Sequence, residues 1–158
     1  MEKAVANART QKLVVCLSLC ATNEFISENN LVQYAELAKH WGVSFIQLLE
    51  PKAVGHYAGK DVYLDKDKIS LLEDFYATYN YNKAYVDYPS IVYHGFYSRR
   101  IGCGAGGKHY VYIDTGGDVH NCPFCQRKLF SALHDPIDKN ITAMMNGGCS
   151  AYMNSTQM

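Results

Sequence analysis

The sequence predicts an α/β fold followed by a small module that contains a β-hairpin, and three observations support this prediction. Two short apolar segments flank a segment with helical periodicity, and the connections between them are short. The last third of the chain changes to glycine-rich sequence with a short alternating pattern. With 48% hydrophobic residues among 158, the chain can build a sizeable core. We therefore predict two domains, residues 1–98 and residues 99–158.

The first domain is predicted from its βαβ pattern. Residues 13–19 are short, apolar and partly β-branched, which predicts a buried strand. Ser27 is placed to cap a helix over residues 28–41, and Gly42 is placed to end it. The apolar face of this helix is predicted to carry Leu31, Ala35, Ala38 and Trp41. A second strand follows over residues 43–49. Strand, helix and strand with short connections predict a right-handed crossover in a parallel sheet.

Three more segments complete the predicted first domain. Residues 2–12 have a helix-forming composition without a start signal. Residues 67–79 predict an amphipathic helix whose inward side chains are Ile69, Leu72, Phe75 and Tyr76. Residues 85–97 alternate loosely, and we expect one more strand there.

The second domain is predicted from a hairpin pattern. Residues 109–114 alternate, residues 115–118 read Thr-Gly-Gly-Asp, and residues 119–121 return, which predicts two antiparallel strands joined by a turn. Residues 127–133 are predicted to be helical.

Charge and hydropathy exclude several functional classes. Fifteen Lys and Arg residues balance fifteen Asp and Glu residues, which argues against non-specific binding to nucleic acid or to a membrane surface. The longest apolar stretch, residues 13–21, is far shorter than the roughly 20 residues that a membrane span needs. Residues 1–11 do not resemble a signal peptide, so we expect a soluble cytoplasmic protein.

Six cysteines indicate metal or redox chemistry, because a chain without a secretory signal is a poor candidate for a disulfide framework. Four of them lie in the glycine-rich last third: Cys103, Cys122, Cys125 and Cys149. A Cys-x-x-Cys turn brings two thiolates to one side, and ligands before the hairpin and downstream would complete a Cys₄ site. Cys16 and Cys20 are four residues apart in a strand, and we interpret both as core or strand-end residues.

Several alternatives remain open for these residues. A Cys₄ set suits zinc and iron–sulfur clusters equally well. The four cysteines could also be buried without a ligand, or Cys122 and Cys125 could form a redox pair. His109 and His120 neighbour the hairpin, and we expect them to be surface or half-buried side chains rather than ligands.

The glycine- and cysteine-rich segment resembles the SPASM/twitch extension of radical S-adenosylmethionine (SAM) enzymes. The resemblance rests on Cys103-Gly-Ala-Gly, Tyr112-Ile113-Asp114 and Gly117-Asp118-Val119-His120-Asn121-Cys122-Pro123-Phe124. The first half is similar to the last strands of that family's six-stranded partial barrel, through Thr22-Asn23, Gly42-Val43, Glu50-Pro51 and Gly55. The resemblance implies the C-terminal part of a partial (β/α)₆ barrel followed by a cluster-binding module. It also implies one auxiliary [4Fe–4S] cluster on Cys103, Cys122, Cys125 and Cys149, supporting radical chemistry on a peptide or small molecule.

The departures from the family bear on catalysis and on partners. The Cys-x-x-x-Cys-x-x-Cys motif of the SAM-cleaving cluster and the first four strands are absent from the sequence, and Cys149 alone follows Cys125. We therefore expect this chain not to cleave SAM by itself, and to self-associate or to join an upstream barrel segment. The alternative function is a non-enzymatic zinc-binding scaffold or interaction module that uses the same four cysteines.

Three polar residues are candidates for contact with SAM or substrate in an intact enzyme. Asn23, Gln47 and Glu50 lie at or near the C-terminal ends of predicted strands, where parallel α/β folds place groups that contact ligands. The same residues could instead cap loops or meet solvent.

Overall fold

The computed structural model describes residues 1–105, 109–125 and 127–147. In these residues the fold is mixed α/β, with five α-helices, two three-stranded sheets and no closed barrel. The chain divides into two compact units, Met1–His94 and Gly95–Met158. The sequence pattern predicts a division near residue 98. Within the described part of the chain, no helix is long and apolar enough to cross a membrane.

The first unit is built on a parallel sheet. Its strands are β1 (Cys16–Cys20), β2 (Phe45–Leu49) and β3 (Ser90–Tyr93), in the order β1-β2-β3. Ile46 of the central strand lies opposite Leu17 and Ile91. The predicted parallel βαβ arrangement is confirmed.

Three helices accompany this sheet: α1 (Glu2–Thr10), α2 (Glu28–His40) and α3 (Lys66–Tyr81). The Ser27 hydroxyl accepts a hydrogen bond from the Asn30 backbone N–H at 3.2 Å, which confirms the predicted cap. Gly42 follows α2 with φ +66°, a left-handed conformation that suits glycine. The predicted inward faces are also present. Leu31, Ala35 and Ala38 of α2 are buried, as are Leu72, Phe75 and Tyr76 of α3. Trp41 and Ile69, which were predicted on the same faces, are half-buried.

The first strand differs from its prediction in extent and in burial. It begins at Cys16 rather than at residue 13, and Leu13 and Val14 are exposed. The chain leaves α1 through Lys12 at φ +58°, and the Leu13 N–H is donated back to the Ala8 carbonyl. Burial then alternates along the strand, so that only one face of β1 is covered. The prediction of a buried strand therefore holds for the face that carries Leu17 and Leu19 and is wrong for the opposite face.

The strand predicted over residues 85–97 is shorter than expected, because both of its ends form helical turns. A 3₁₀ turn occupies Lys83–Tyr85, β3 takes only four residues, and helix α4 (His94–Ile101) follows directly. The side-chain amide of Asn80 donates to the Ile91 carbonyl and accepts from the Ile91 N–H, both at 3.0 Å. Asn80 thereby occupies the outer edge of β3.

The second unit contains α4 and a small antiparallel sheet. Its strands are β4 (Tyr112–Ile113), β5 (Asp118–His120) and β6 (Phe130–Ser131), and the helix α5 (Ile137–Gly147) follows. The pairing of β4 with β5 confirms the hairpin.

The helix predicted over residues 127–133 is wrong, because this segment adds a third strand to the hairpin. Phe130 pairs with Val119. The N–H of Leu129 donates to the Val119 carbonyl at 2.9 Å, and that of Ala132 to the Gly117 carbonyl at 2.8 Å. The third strand brings Phe130 to Val119 and Met144, and these three buried side chains form the core of the described part of the unit.

Candidate metal centre

The hairpin turn is organised by the carboxylate of Asp114. Its Oδ1 accepts hydrogen bonds from the backbone N–H groups of Gly116 at 2.9 Å and Asp118 at 3.0 Å. The Gly117 N–H donates to the Asp114 carbonyl at 3.0 Å, and Gly117 has φ +81°. An added Cβ at Gly117 would lie 2.6 Å from Leu133 Cγ. The Asp-x-x-Gly-Asp run is thus a turn motif with a defined physical basis, and it sets where β5 begins.

Cys122 and Cys125 share a second turn just after β5. The Cys125 N–H donates to the Cys122 carbonyl at 3.0 Å, so the two cysteines are the first and last residues of a tight turn. Cys122 is buried and Cys125 is half-buried. The hairpin therefore delivers a Cys-x-x-Cys pair at its foot, the arrangement by which two sulfurs can bind one ion.

Cys103 lies in the loop that follows α4. The Ala105 N–H donates a hydrogen bond to Cys103 Sγ at an N···S distance of 3.4 Å. Gly102 has φ +84°, which lets the chain turn sharply into this loop. An added Cβ at Gly104 would lie 2.5 Å from His109 Cδ2, so the loop has no room for a larger residue unless His109 moves.

The four predicted ligands are only partly described. Cys149 lies outside the described residues. Among the residues that are described, no group of three or more His, Cys, Asp or Glu side chains is arranged to hold a metal ion. The structure thus brings Cys122 and Cys125 into one turn and gives Cys103 an N–H donor.

His120 is a polar residue whose burial was not predicted from the sequence. It is 8% exposed and therefore buried, where a surface or half-buried side chain was expected. Its Nε2 lies 3.3 Å from Asp114 Oδ2, while its Nδ1 is buried and has no hydrogen-bond partner within the described structure. The Tyr112 ring packs beside it at a centroid distance of 5.9 Å. The sequence signal that could have indicated the burial of His120 is the hairpin register, which places Tyr112 opposite His120.

Electrostatics favour the ionised form of the Asp114 carboxyl. The hydrogen bond from the Asp118 N–H is the largest cause of a lowered pKa for Asp114, and those from His120 and Gly116 act in the same direction. The Lys128 ammonium lies 2.6 Å from Asp118 Oδ1, and this pairing raises the pKa of Lys128. Both carboxylates of the turn therefore have partners.

The three polar candidates of the first unit are all engaged in internal hydrogen bonds. The Asn23 side chain donates to the Tyr63 carbonyl and accepts from the Asp65 N–H, both at 3.0 Å, which ties down the loop before α3. Gln47 lies at the centre of β2 rather than near its C-terminal end as predicted, because the strand begins at Phe45 and not at residue 43. It accepts from the Ser18 hydroxyl at 3.2 Å.

Glu50 directly follows β2, and Tyr93 and Lys52 are among its partners at the C-terminal edge of the sheet. One oxygen accepts from the Tyr93 hydroxyl at 2.7 Å, and the other lies 3.3 Å from Lys52 Nζ. The Glu50 side chain is 13% exposed, so this is a largely buried carboxylate beside a phenol and an ammonium.

Cys16 and Cys20 lie at the two ends of β1 and are exposed, so the strand-end interpretation is confirmed and the core interpretation is wrong. They belong to what we term the open sheet face, the side of the parallel sheet that the helices leave uncovered. This face consists of Cys16, Ser18, Cys20, Phe45, Gln47, Leu49, Ser90 and Val92, of which Gln47 is half-buried and the others are exposed.

No family model matches the chain, and no curated protein is significantly similar to it in sequence.

Proposed function

We propose that the second unit binds one auxiliary [4Fe–4S] cluster through Cys103, Cys122, Cys125 and Cys149, as the C-terminal part of a radical SAM enzyme. The observation that supports this most is the Cys122–Cys125 turn at the foot of the hairpin. A cysteine pair in a tight turn beside a buried strand is pre-organised for a shared metal, so little chain entropy is lost on binding.

The loop at Cys103 supports the same proposal. Its backbone N–H donates to the Cys103 sulfur, and hydrogen bonds of this kind orient and tune sulfur ligands in iron–sulfur sites. In such a site the protein tunes a cluster through its ligands, burial and hydrogen bonds to sulfur, while the cluster when bound supplies electron transfer or substrate placement. The described residues contribute all three features: thiols, the burial of Cys122 and the Ala105 N–H.

The open sheet face supports the barrel part of the proposal. Parallel sheets are ordinarily covered on both faces, and a wall of a (β/α) barrel is covered by helices on its outer side alone. We propose that the open sheet face lines the interior of a larger barrel. There Gln47, whose amide nitrogen has no partner within the described structure, would donate to SAM or to a peptide or small-molecule substrate.

In this proposal Asn23 and Glu50 act on the site indirectly. Asn23 ties down the loop at Tyr63 and Asp65 beside the C-terminal ends of the strands. Glu50 is held by Tyr93 and Lys52 at the same end. They would therefore shape the rim of the interior.

Anaerobic purification with absorption spectroscopy and metal analysis tests the proposal. We expect a brown protein with iron and acid-labile sulfide in about equal amounts and an absorption band that bleaches on reduction. A colourless protein with stoichiometric zinc would instead establish the alternative, a Cys₄ zinc scaffold. A protein that takes up neither metal would overturn both. Since the SAM-cleaving motif is absent from these residues, the chain supplied with SAM and a strong reductant should release no deoxyadenosine.

A further inference from the structure

A groove of about 290 Å³ lies on the first unit between α2 and α3. Its size is close to the roughly 300 Å³ at which small-ligand sites begin. The groove is separate from the cysteines and from the open sheet face. It is lined by Glu28, Leu31, Val32, Leu71, Asp74, Phe75, Thr78, Tyr79 and Tyr85.

Three aromatic rings form a row along this groove. The Phe75 and Tyr79 centroids are 4.4 Å apart, and the Tyr79 and Tyr85 centroids are 4.3 Å apart. Aromatic faces carry negative electrostatic potential and attract cations that come within about 6 Å of the ring centroid.

Two carboxylates add to this negative potential. Glu28 and Asp74 belong to the lining of the groove, which includes no lysine, arginine or histidine. Neither carboxylate has a salt bridge to any residue that the structure describes. An aromatic and acidic lining without a cation is complementary to a ligand that carries positive charge.

The same cluster already holds an ammonium on another side. Lys39 Nζ lies 4.0 Å from the centroid of the Tyr88 ring, and the Tyr88 hydroxyl donates to Glu36. The Tyr88 ring in turn packs against Tyr79 at 5.2 Å and Tyr85 at 5.3 Å. At Tyr88 an aromatic ring, a carboxylate and an ammonium group thus lie together. The groove contains aromatic rings and carboxylates as well, but its lining includes no ammonium group.

We propose that the groove between α2 and α3 binds an alkylammonium group, with the half-buried Tyr85 contacting its carbon substituents, Tyr79 supporting the Tyr85 ring from behind, and Glu28 and Asp74 balancing its charge. The ammonium could belong to a free amine or to a lysine side chain. Binding is non-covalent and does not depend on the metal centre.

NMR titration of the full chain with choline and with dimethylbutanol, its neutral carbon isostere, tests the proposal. We expect choline to shift the resonances of groove residues and to bind about tenfold more tightly than the isostere. Acetyl-lysine-methylamide with a free side-chain amine identifies the source. Tighter binding of this probe than of choline would assign the groove to a lysine side chain, and the reverse to a free quaternary amine.

Variants separate charge from shape. Asp74→Asn should weaken choline binding about threefold or more, and Tyr85→Leu by a similar factor, while the neutral isostere should be unaffected by the Asn variant. Asp61→Asn removes an exposed carboxylate outside the groove and should leave the affinity unchanged. Equal binding of choline and its isostere, or equal effects of the Asp61 and Asp74 variants, would overturn the proposal. Thermal unfolding of each variant verifies that it remains folded.

Discussion

The two units are stabilised in different ways. In the first, Ile46 and Leu72 are completely buried, and apolar side chains from all three strands and the helices are buried as well. In the second, the described core has three buried members, and the conformation of the cysteine loops follows from short-range hydrogen bonds at Asp114, Cys122 and Cys103. Burial alone can stabilise the first unit, while the small core of the second explains why a metal would contribute to its stability.

Removing one cysteine of the turn should produce the largest difference between the units. If Cys122 is a ligand, Cys122→Ala should lose most of the bound metal and should abolish hydrogen-exchange protection in β4 and β5, because one ligand of a four-thiolate site is gone. Protection in β1 to β3 should be retained.

Cys16→Ala is the matched control, since Cys16 is an exposed cysteine on the open sheet face. Its metal content should equal that of the unchanged protein. Equal metal loss in both variants would show that the assignment to the second unit is wrong.

Shortening a buried side chain should destabilise the first unit more than the second. Ile46→Ala removes a fully buried side chain from the central strand and should destabilise the first unit by about 3 kcal/mol. Val119→Ala in the second unit should have a smaller effect, roughly 2 kcal/mol, because fewer methyl groups are removed from a smaller core.

Hydrogen exchange monitored separately in β1 to β3 and in β4 to β6 measures both effects. The Ile46 variant should reduce protection in the first sheet, and the Val119 variant in the second. A loss of protection in both sheets from either change would indicate one cooperative structure.

Removing a hydrogen bond to the Glu50 carboxylate, which follows β2, should lower the free energy of unfolding by an intermediate amount. Tyr93→Phe deletes the hydroxyl that donates to Glu50 and leaves a largely buried carboxylate with one donor fewer. We expect a loss of about 1.5–2 kcal/mol in the free energy of unfolding. The hydroxyl of Tyr88 donates to Glu36 at an exposed site, so Tyr88→Phe should cost less. A double-mutant cycle with Glu50→Gln that shows no coupling would contradict this account.

The sequence was most informative where local rules and burial agree. The Ser27 cap, the α2 face with Leu31 and Ala35, and the parallel pairing of β1 with β2 followed from spacing alone. The sequence was least informative where a residue far along the chain determines the local structure. Strand β6 forms because Phe130 pairs with Val119 of β5, and the helix-forming composition of residues 127–133 does not indicate that pairing.

The same limit applied to the candidate sites. The Cys122–Cys125 turn was predictable because the two cysteines are three residues apart and lie within one turn. The hydrogen bond from the Asn23 side chain to a backbone carbonyl 40 residues away was not predictable, because the sequence around Asn23 does not specify that contact. The burial of His120 was missed because it depends on Tyr112 and Asp114 from the facing strand and turn, which only the hairpin register brings to His120.

The smallest predicted effect concerns pH and the turn of the second unit. The pKa of Asp114 is lowered in the folded protein from its ordinary value of 3.8, chiefly by the Asp118 N–H, so the ionised carboxylate stabilises the fold. This contribution is complete above that ordinary value and is lost as the pH falls through the lower folded pKa. Asp114→Asn keeps an oxygen acceptor for Gly116 and Asp118 but removes the charge beside His120. We therefore expect a modest loss of stability near neutral pH and a difference from the unchanged protein that shrinks in acid, measured by unfolding at about pH 7 and about pH 3. Asp61→Asn, which removes a carboxylate without a hydrogen bond in the described residues, should show no such convergence, and a difference for Asp114→Asn that is the same at both pH values would mean that the charge contributes nothing to the turn.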